Sequence, residues 1–295
     1  MKKTLLLLLS LTFFIIGCSD DDDNNSVEPT SSSLNLNIAG LEDLGSTAVY
    51  EGWIMVDGAP KTTGTFTVDG SGNLSQTSFD INSDDLSKAT AFILTIEPSP
   101  DPSPNPSDVH ILAGDFSGNN ASLSVGHGAA LGDDFSNISG KYILATPTDG
   151  NDQDENSGLW FLDLSSGSPA VGLDLPTLPA GWKYEGWAVI DGSPVTTGTF
   201  TSLTSADDSA PFSGSAGGPP FPGEDFLVNA PMGLTFPTDL AGKTAVISIE
   251  PDPDNSPNPF TLKPLVKMIP SDAADHVTYS MDSNLGSFPT GTATK

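Results

Sequence analysis

The sequence YEGWIMVDGAPKTTGTF at residues 50–66 returns as YEGWAVIDGSPVTTGTF at residues 184–200, with twelve of the seventeen positions identical. A second pair follows each copy: IEPSPDPSPNP at residues 96–106 and IEPDPDNSPNP at residues 249–259. Between the paired segments the second copy carries 19 extra residues, including the Gly- and Pro-rich stretch 213–223. Self-similarity of this kind indicates an internal duplication, and an insertion of that composition is typical of a surface loop.

The duplicated segment has the pattern of two β-strands joined by a tight turn. Residues 50–56 and 62–68 are rich in β-branched and aromatic side chains, and the Asp57-Gly58 dipeptide between them is typical of a two-residue hairpin turn. A further apolar run at residues 91–96 is closed by a nearby proline, which cannot donate a ladder hydrogen bond. Short strands at this spacing predict an all-β fold with a β-sandwich in each copy.

Composition and repeats divide the chain into five parts. They are a signal peptide with its lipobox (1–18), an acidic and Ser-rich tether (19–33), a first β-sandwich module (34–128), connecting strands with an acidic loop (129–168), and a second β-sandwich module (169–295). We expect both modules to be immunoglobulin-like. Two arrangements are open for the connecting strands, which either extend the first sandwich or form a hairpin that bridges the modules.

The first residues predict export and a lipid anchor. Two lysines precede an apolar run at residues 5–16, which fits a secretory signal and is shorter than the roughly 20 residues that span a bilayer. The run ends in Gly17-Cys18, which resembles the lipobox of bacterial lipoproteins, and Cys18 is the only cysteine in the chain. We therefore expect Cys18 to be lipidated and to make the membrane one partner of the protein.

Four consecutive aspartates follow the anchor at residues 20–23. Their mutual repulsion and the scarcity of apolar residues predict a solvated, disordered tether. The acidic run also resembles the surface-export signals of Bacteroidota lipoproteins. This resemblance implies display on the outward face of the outer membrane, and the periplasmic face is the alternative.

The net charge restricts the classes of molecule that the protein can bind. The formal charge is −28, and the chain contains no arginine. Nucleic-acid binding depends on Lys and Arg at phosphates, so this composition excludes it. An unidentified protein or a glycan is the partner that we expect outside the cytoplasm.

The duplicated module resembles the extracytoplasmic domain of anti-sigma-K factors over residues 36–125 and 172–281. That family pattern has a Tyr-Glu-x-Trp strand, a turn with Gly and Pro, a Gly-x-Phe strand, and an apolar strand that ends in Glu-Pro. The sequence shows no counterpart of the family's cytoplasmic zinc-binding domain or transmembrane helix, so the resemblance implies the outer, sensory half of the family's role. The repeated motif positions, which we expect to be structural, are Tyr50, Glu51, Trp53, Glu97, Tyr184, Glu185, Trp187 and Glu250.

Catalytic chemistry is not expected. Two repeated glutamates invite comparison with glycosidases, but Glu97 lies on the strand face opposite its apolar neighbours, so it should be solvated or held by loop backbone. No His-x-x-x-His, Gly-x-Ser-x-Gly or phosphate-loop pattern is present. The sequence therefore predicts no enzyme, no catalytic residue and no bound metal or cofactor. The one alternative is Ca²⁺ in the acidic loop that holds Asp149, Asn151, Asp152, Asp154 and Glu155.

The tryptophans separate two functional hypotheses. Trp53 and Trp187 recur at one strand position and are expected in the core, whereas Trp182 is the best candidate for an exposed aromatic. The first hypothesis is a lipid-anchored extracytoplasmic binding or interaction protein, of a sensory kind. The alternative is a carbohydrate-binding or adhesive surface lipoprotein, which an exposed row of aromatic side chains would favour.

Overall fold

The computed structural model describes residues 30–254 and 256–295. The signal peptide, Cys18 and most of the tether, including residues 20–23, lie outside the described residues. In the two described ranges, no helix has the length and apolar character that a membrane span requires.

The regular secondary structure of the described residues consists almost entirely of short β-strands, which confirms the all-β prediction. Its first half contains β1 (Ser31–Ala39), β2 (Ala48–Val56), β3 (Ala59–Phe66), β4 (Ser78–Asn82), helix α1 (Ser83–Lys88), β5 (Ala91–Pro98), β6 (His110–Ser117) and β7 (Asn120–Leu123). The middle contains β8 (Ser139–Leu144), a 3-10 turn (Glu155–Ser157), β9 (Gly158–Trp160), β10 (Leu162–Asp163), β11 (Ala170–Val171) and β12 (Leu173–Asp174). The second half contains β13 (Trp182–Ile190), β14 (Ser193–Phe200), β15 (Gly223–Asp225), β16 (Thr244–Pro251), β17 (Leu265–Met268), β18 (Tyr279–Ser280), β19 (Asp282–Ser283), a second 3-10 turn (Leu285–Ser287) and β20 (Thr290–Thr294).

The duplicated segment forms the same hairpin twice, as predicted. β2 pairs with β3, and β13 pairs with β14. Asp57 and Gly58 have φ of 51° and 80°, and Asp191 and Gly192 have φ of 52° and 85°. Positive φ at both central residues is the geometry that an Asp-Gly hairpin turn adopts, because Asp tolerates the left-handed region and Gly has no Cβ to clash there.

Each hairpin also contains the same β-bulge. In the first copy Gly52 lies opposite Gly64 and Trp53 lies opposite Thr62, so Thr63 is the extra residue. A Cβ at Gly52 would lie 2.4 Å from Thr63 Oγ1 and 2.9 Å from the Phe92 ring. The bulge therefore requires glycine at this position, and the matching Gly186-Trp187 step of the second copy has the same register shift.

The first sheet has eight strands in the order β3-β2-β5-β6-β7-β20-β1-β4. Its two outer strands approach each other, since the Phe66 ring of β3 and the Phe79 ring of β4 are 6.1 Å apart. The sheet thus folds over its own apolar core. Residues 31–33, predicted to belong to the tether, are instead the first residues of β1, where they pair with β4.

The last strand of the chain belongs to this first sheet. β20 pairs with β1 on one side and with β7 on the other, so it lies between two strands that are distant in sequence. This differs from the sequence-based division, which assigns residues 169–295 to the second module. Ala293 is fully buried there, opposite Leu36 of β1 and Ala121 of β7.

The second half is a sandwich that takes strands from the connecting segment. One sheet has the order β14-β13-β16-β17-β19, and the other has the order β12-β8-β9-β15, with β18 also paired to β8. Contact between the layers is close, because a Cβ at Gly186 of β13 would lie 2.5 Å from the ring of Phe161, which follows β9. The connecting strands β8 and β9 therefore complete the second half, an arrangement that the sequence does not reveal.

One continuous apolar core joins the two halves. It runs from Leu34 of β1 through Tyr142 of β8 to Ile247 of β16 and Ala293 of β20. All four residues are fully buried. The described chain therefore has the character of a β-sandwich. That the two modules have an immunoglobulin-like fold stays a prediction.

Candidate functional site

The repeated tyrosines form the same kind of hydrogen bond in both copies. The Tyr50 hydroxyl donates to the Glu42 carbonyl oxygen at 2.9 Å, and the Tyr184 hydroxyl donates to the Pro176 carbonyl oxygen at 2.8 Å. Both rings are buried, and burial raises the pKa of each hydroxyl above its ordinary value. Each tyrosine thus ties the strand to the segment eight residues upstream.

In the first copy, Trp53 and Glu97 belong to one hydrogen-bonded chain. Trp53 Nε1 donates to Thr95 Oγ1 at 2.9 Å, and the Thr95 hydroxyl donates to Glu97 Oε1. The backbone N–H of Ser107 then donates to Glu97 Oε1 at 2.9 Å. Glu97 is only 1% exposed, so the expectation that loop backbone holds it is confirmed and the solvated alternative is wrong.

The second copy repeats this chain with different side chains. Trp187 Nε1 donates to Ser248 Oγ at 2.7 Å, and the Ser248 hydroxyl donates to Glu250 Oε1. The Phe260 N–H donates to the same oxygen at 2.9 Å. These residues fasten the Pro-rich loop after β16 to the sheet, as Glu97 fastens the loop after β5.

The other repeated glutamate differs between the copies. Glu51 accepts a hydrogen bond from the Thr62 hydroxyl, and Glu185 accepts one from the Thr196 hydroxyl. Glu185 is 5% exposed, and its Oε2 atom is buried without a hydrogen-bond partner in the described parts of the chain. Glu51 has no such orphaned atom.

Three carboxylates meet in the second copy. Glu185, Glu250 and Asp254 each place one carboxylate oxygen within 4.8 Å of an oxygen of the other two. Burial raises the pKa of Glu185 to about 7 and that of Glu250 to about 8. Among the described residues, the counterparts in the first copy, Glu51 and Glu97, do not take part in a cluster of this kind.

This cluster opens onto a groove where the two halves of the chain meet. The groove has a volume of about 330 Å³, and its walls are the loop at residues 42–48 and the Pro-rich loop at residues 250–260. Glu250 and Asp254 are among its lining residues. Nearby, the Thr261 hydroxyl donates to the Gly40 carbonyl oxygen at 3.3 Å and so links the halves directly.

The groove combines acidic and apolar side chains. Glu42 lies at one wall, and burial raises the pKa of its carboxyl. Leu44, Ile96 and Phe260 supply apolar surface. Lys263 is close to both Glu42 and Glu250, but its ammonium donates to the Phe260 carbonyl oxygen at 2.6 Å, and burial lowers its pKa.

The acidic side chains of the loop suggested for Ca²⁺ do not all converge on one point. The Asp149 carboxylate accepts from the Asn151 N–H at 2.7 Å, and Glu155 accepts from the Thr146 N–H at 3.1 Å. In the described ranges, the ligand cluster found here joins Glu155 to Asp275 and His276, which lie far away in sequence. Asp152 and Asp154 line an open, acidic cavity of about 480 Å³ beside Glu155.

A buried acidic cluster was missed by sequence reasoning. Asp225 is fully buried and accepts hydrogen bonds from the Thr148 N–H at 2.8 Å and from Trp160 Nε1 at 2.7 Å. Its neighbour Glu224 is also fully buried, and burial raises its pKa to about 7. Burial likewise raises the pKa of Asp207, which accepts from the Gly223 N–H, to about 8. The sequence signal is two pairs of adjacent acids, Asp207-Asp208 and Glu224-Asp225, between the repeated segments of the second copy.

The expected exposed aromatic is buried. Trp182 is 3% exposed and packs on Phe260, with ring centroids 6.1 Å apart, because its strand position faces the core. Trp53, Trp160 and Trp187 are also buried. Across residues 30–254 and 256–295, no Trp, Tyr or Phe is exposed, so this part of the chain has no aromatic row on its surface.

Comparison with known proteins adds no family to this description. No protein-family model matches the chain, and searches against curated proteins and solved structures also find no match.

Proposed function

We propose that the chain is a lipid-anchored extracytoplasmic binding protein and that its ligand site is the groove between its two halves. The observation that carries this proposal is the composition of the groove, whose walls come from the loop at residues 42–48 and the loop at residues 250–260. A site built from both copies gives a reason why the duplicated units are held together in one body. The N-terminal lipobox and the resemblance to the sensory half of anti-sigma-K factors support the same role.

The chemistry of the groove favours a segment of a protein as its ligand. Apolar side chains at Leu44, Ile96 and Phe260 can receive an apolar side chain, while Glu42 and Asp254 favour a basic one nearby. We assign no catalytic role to Glu250, because its carboxylate is held by Ser248 and by the Phe260 N–H. The carbohydrate alternative lacks support from the described residues, since none of their aromatic rings is exposed.

Site-specific photocross-linking in intact cells tests this proposal. A photoreactive residue replaces Ser46, which is exposed in the groove, and the control replaces Ser71, which is exposed in the turn at residues 69–73. We expect a discrete cross-linked adduct from position 46 and none from position 71. The adduct should disappear when the groove is filled by Ala48→Trp. Adducts of equal yield at both positions, or none at position 46, would contradict the proposal.

A further inference from the structure

The carboxylates of Glu185, Glu250 and Asp254 lie close together in the second copy. One oxygen of each carboxylate lies within 4.8 Å of an oxygen of the others. In the described ranges, no lysine lies within ion-pair distance of Glu185 or Glu250. Two buried carboxylates at such a distance repel each other strongly unless a proton or a cation lies between them.

A second observation points to a missing ligand. Glu185 is 95% buried, as its exposed fraction is 5%, and its Oε1 atom accepts from the Thr196 hydroxyl. The Oε2 atom of the same carboxylate is buried and has no hydrogen-bond partner in the described chain. Buried carboxylate oxygens nearly always have a partner, so this unpartnered atom points to a ligand that the carboxylate binds.

We propose that Glu185, Glu250 and Asp254 bind a hard divalent cation, and that Ca²⁺ is the ion they fit best. All three donors are carboxylate oxygens, whereas zinc sites usually include histidine or cysteine. Ca²⁺ accepts six to eight oxygen ligands in flexible geometry, and the adjoining groove leaves room for water in the remaining positions. The bound ion would join strands β13 and β16 to the Pro-rich loop. The proposal holds whether or not the groove receives a partner.

The first copy provides a matched comparison within the same molecule. Glu51, Glu97 and Asp101 occupy the corresponding positions of the duplication. Within the described residues they form no cluster of convergent oxygens, and neither oxygen of Glu51 is both buried and unpartnered. A cation should therefore bind in the second copy and not in the first.

Calorimetric titration with CaCl₂ and thermal unfolding of the full chain test the proposal, after treatment with a chelator. We expect one site with a Kd of about 10⁻⁴–10⁻³ M, the range of extracellular calcium modules, and a rise in Tm on binding. Glu185→Gln should weaken binding at least about tenfold, since it removes one of three charged ligands. Glu51→Gln should bind like the wild type. In the chelator, the Tm of Glu185→Gln should equal or exceed that of the wild type, because a buried unpaired charge has been removed, and this result also shows that the variant folds.

Two outcomes would overturn the proposal. The first is a wild-type chain that gives neither heat nor a shift in Tm with Ca²⁺. The second is an equal response of the wild type and Glu185→Gln, which would place the ion elsewhere, for example at Glu155. Both outcomes concern the purified chain alone, so they are distinct from a failure of the cross-linking experiment.

Discussion

Deletion of residues 290–295 is expected to abolish cooperative folding of the first sheet. β20 lies between β1 and β7, so its loss leaves two strand edges unpaired and detaches β1 and β4 from the rest of the sheet. The deletion also removes buried Ala293 and the Lys295 ammonium that donates to the Ala89 carbonyl oxygen at 2.7 Å. We expect a loss of more than about 5 kcal/mol, comparable with the whole stability of a typical domain. Urea unfolding followed by circular dichroism measures the change.

A pair of glycine substitutions provides the control for this deletion. A Cβ at Gly291 in β20 would lie 2.5 Å from the Asn37 carbonyl oxygen, whereas a Cβ at Gly286 meets nothing within 4 Å. Gly291→Ala should therefore destabilise the chain by about 2 kcal/mol or more, and Gly286→Ala by less than about 0.5 kcal/mol. Equal effects of the two substitutions would show that β20 is not inserted between β1 and β7.

Asp225→Ala is expected to be more destabilising than alanine at the other acidic positions 207, 224 and 250. The change leaves the Thr148 N–H, the Thr148 hydroxyl and Trp160 Nε1 without the acceptor that they share. Each buried donor left unsatisfied costs about 1–3 kcal/mol, so the free energy of unfolding should fall by about 3 kcal/mol or more. Urea unfolding monitored by tryptophan fluorescence measures this change, and Trp160 itself reports on the site.

The control for Asp225 is an aspartate at the surface. Asp208 forms an ion pair with Lys183 at 3.1 Å, and its side chain is 60% exposed. Asp208→Ala should cost less than about 1 kcal/mol, as exposed ion pairs usually do. Asp225→Asn should lie between the two, because it keeps one acceptor oxygen. An Asp225→Ala variant as stable as Asp208→Ala would refute the structural role given to the buried carboxylate.

The two repeated hairpins could be predicted from the sequence, because residues within each hairpin decide its turn and its strands. The Asp57-Gly58 and Asp191-Gly192 turns require positive φ at both residues, and few other dipeptides adopt that geometry. The repeated tyrosines, tryptophans and glutamates form hydrogen bonds to loop backbone and to hydroxyls, and their structural role stays a prediction.

The return of the chain to its first sheet could not be predicted from the sequence. β20 reads TGTAT and contains one alanine as its only buried residue, so it lacks the alternating apolar pattern of a core strand. Its place depends on pairing with β1, where Leu36 lies opposite Ala293. These two residues are more than 250 positions apart in the sequence. Similarly, the sequence shows that β8 and β9 are strands, but long-range packing decides which sheet they join.

The candidate site was predicted in part. Glu185 and Glu250 were singled out as repeated positions, but their convergence with Asp254 depends on the path of the Pro-rich loop. The first copy has acids at the equivalent positions and forms no such cluster in the described residues, so residue identity alone does not create it. Asp207, Glu224 and Asp225 lie in or beside the insertion, where the duplication offers no comparison.

Export and lipid anchoring are the central claim, since a groove that binds an extracytoplasmic partner must lie outside the cytoplasm. Protease treatment of intact cells tests this claim most directly, with the wild type, Cys18→Ser and a variant in which residues 20–23 are alanine. We expect the wild type to be membrane-bound and digested, Cys18→Ser to be lost from the membrane fraction, and the alanine variant to be anchored but protected. Protection of both anchored proteins would contradict surface display and move the site to the periplasm. A Cys18→Ser protein that fractionates like the wild type would contradict the lipid anchor itself.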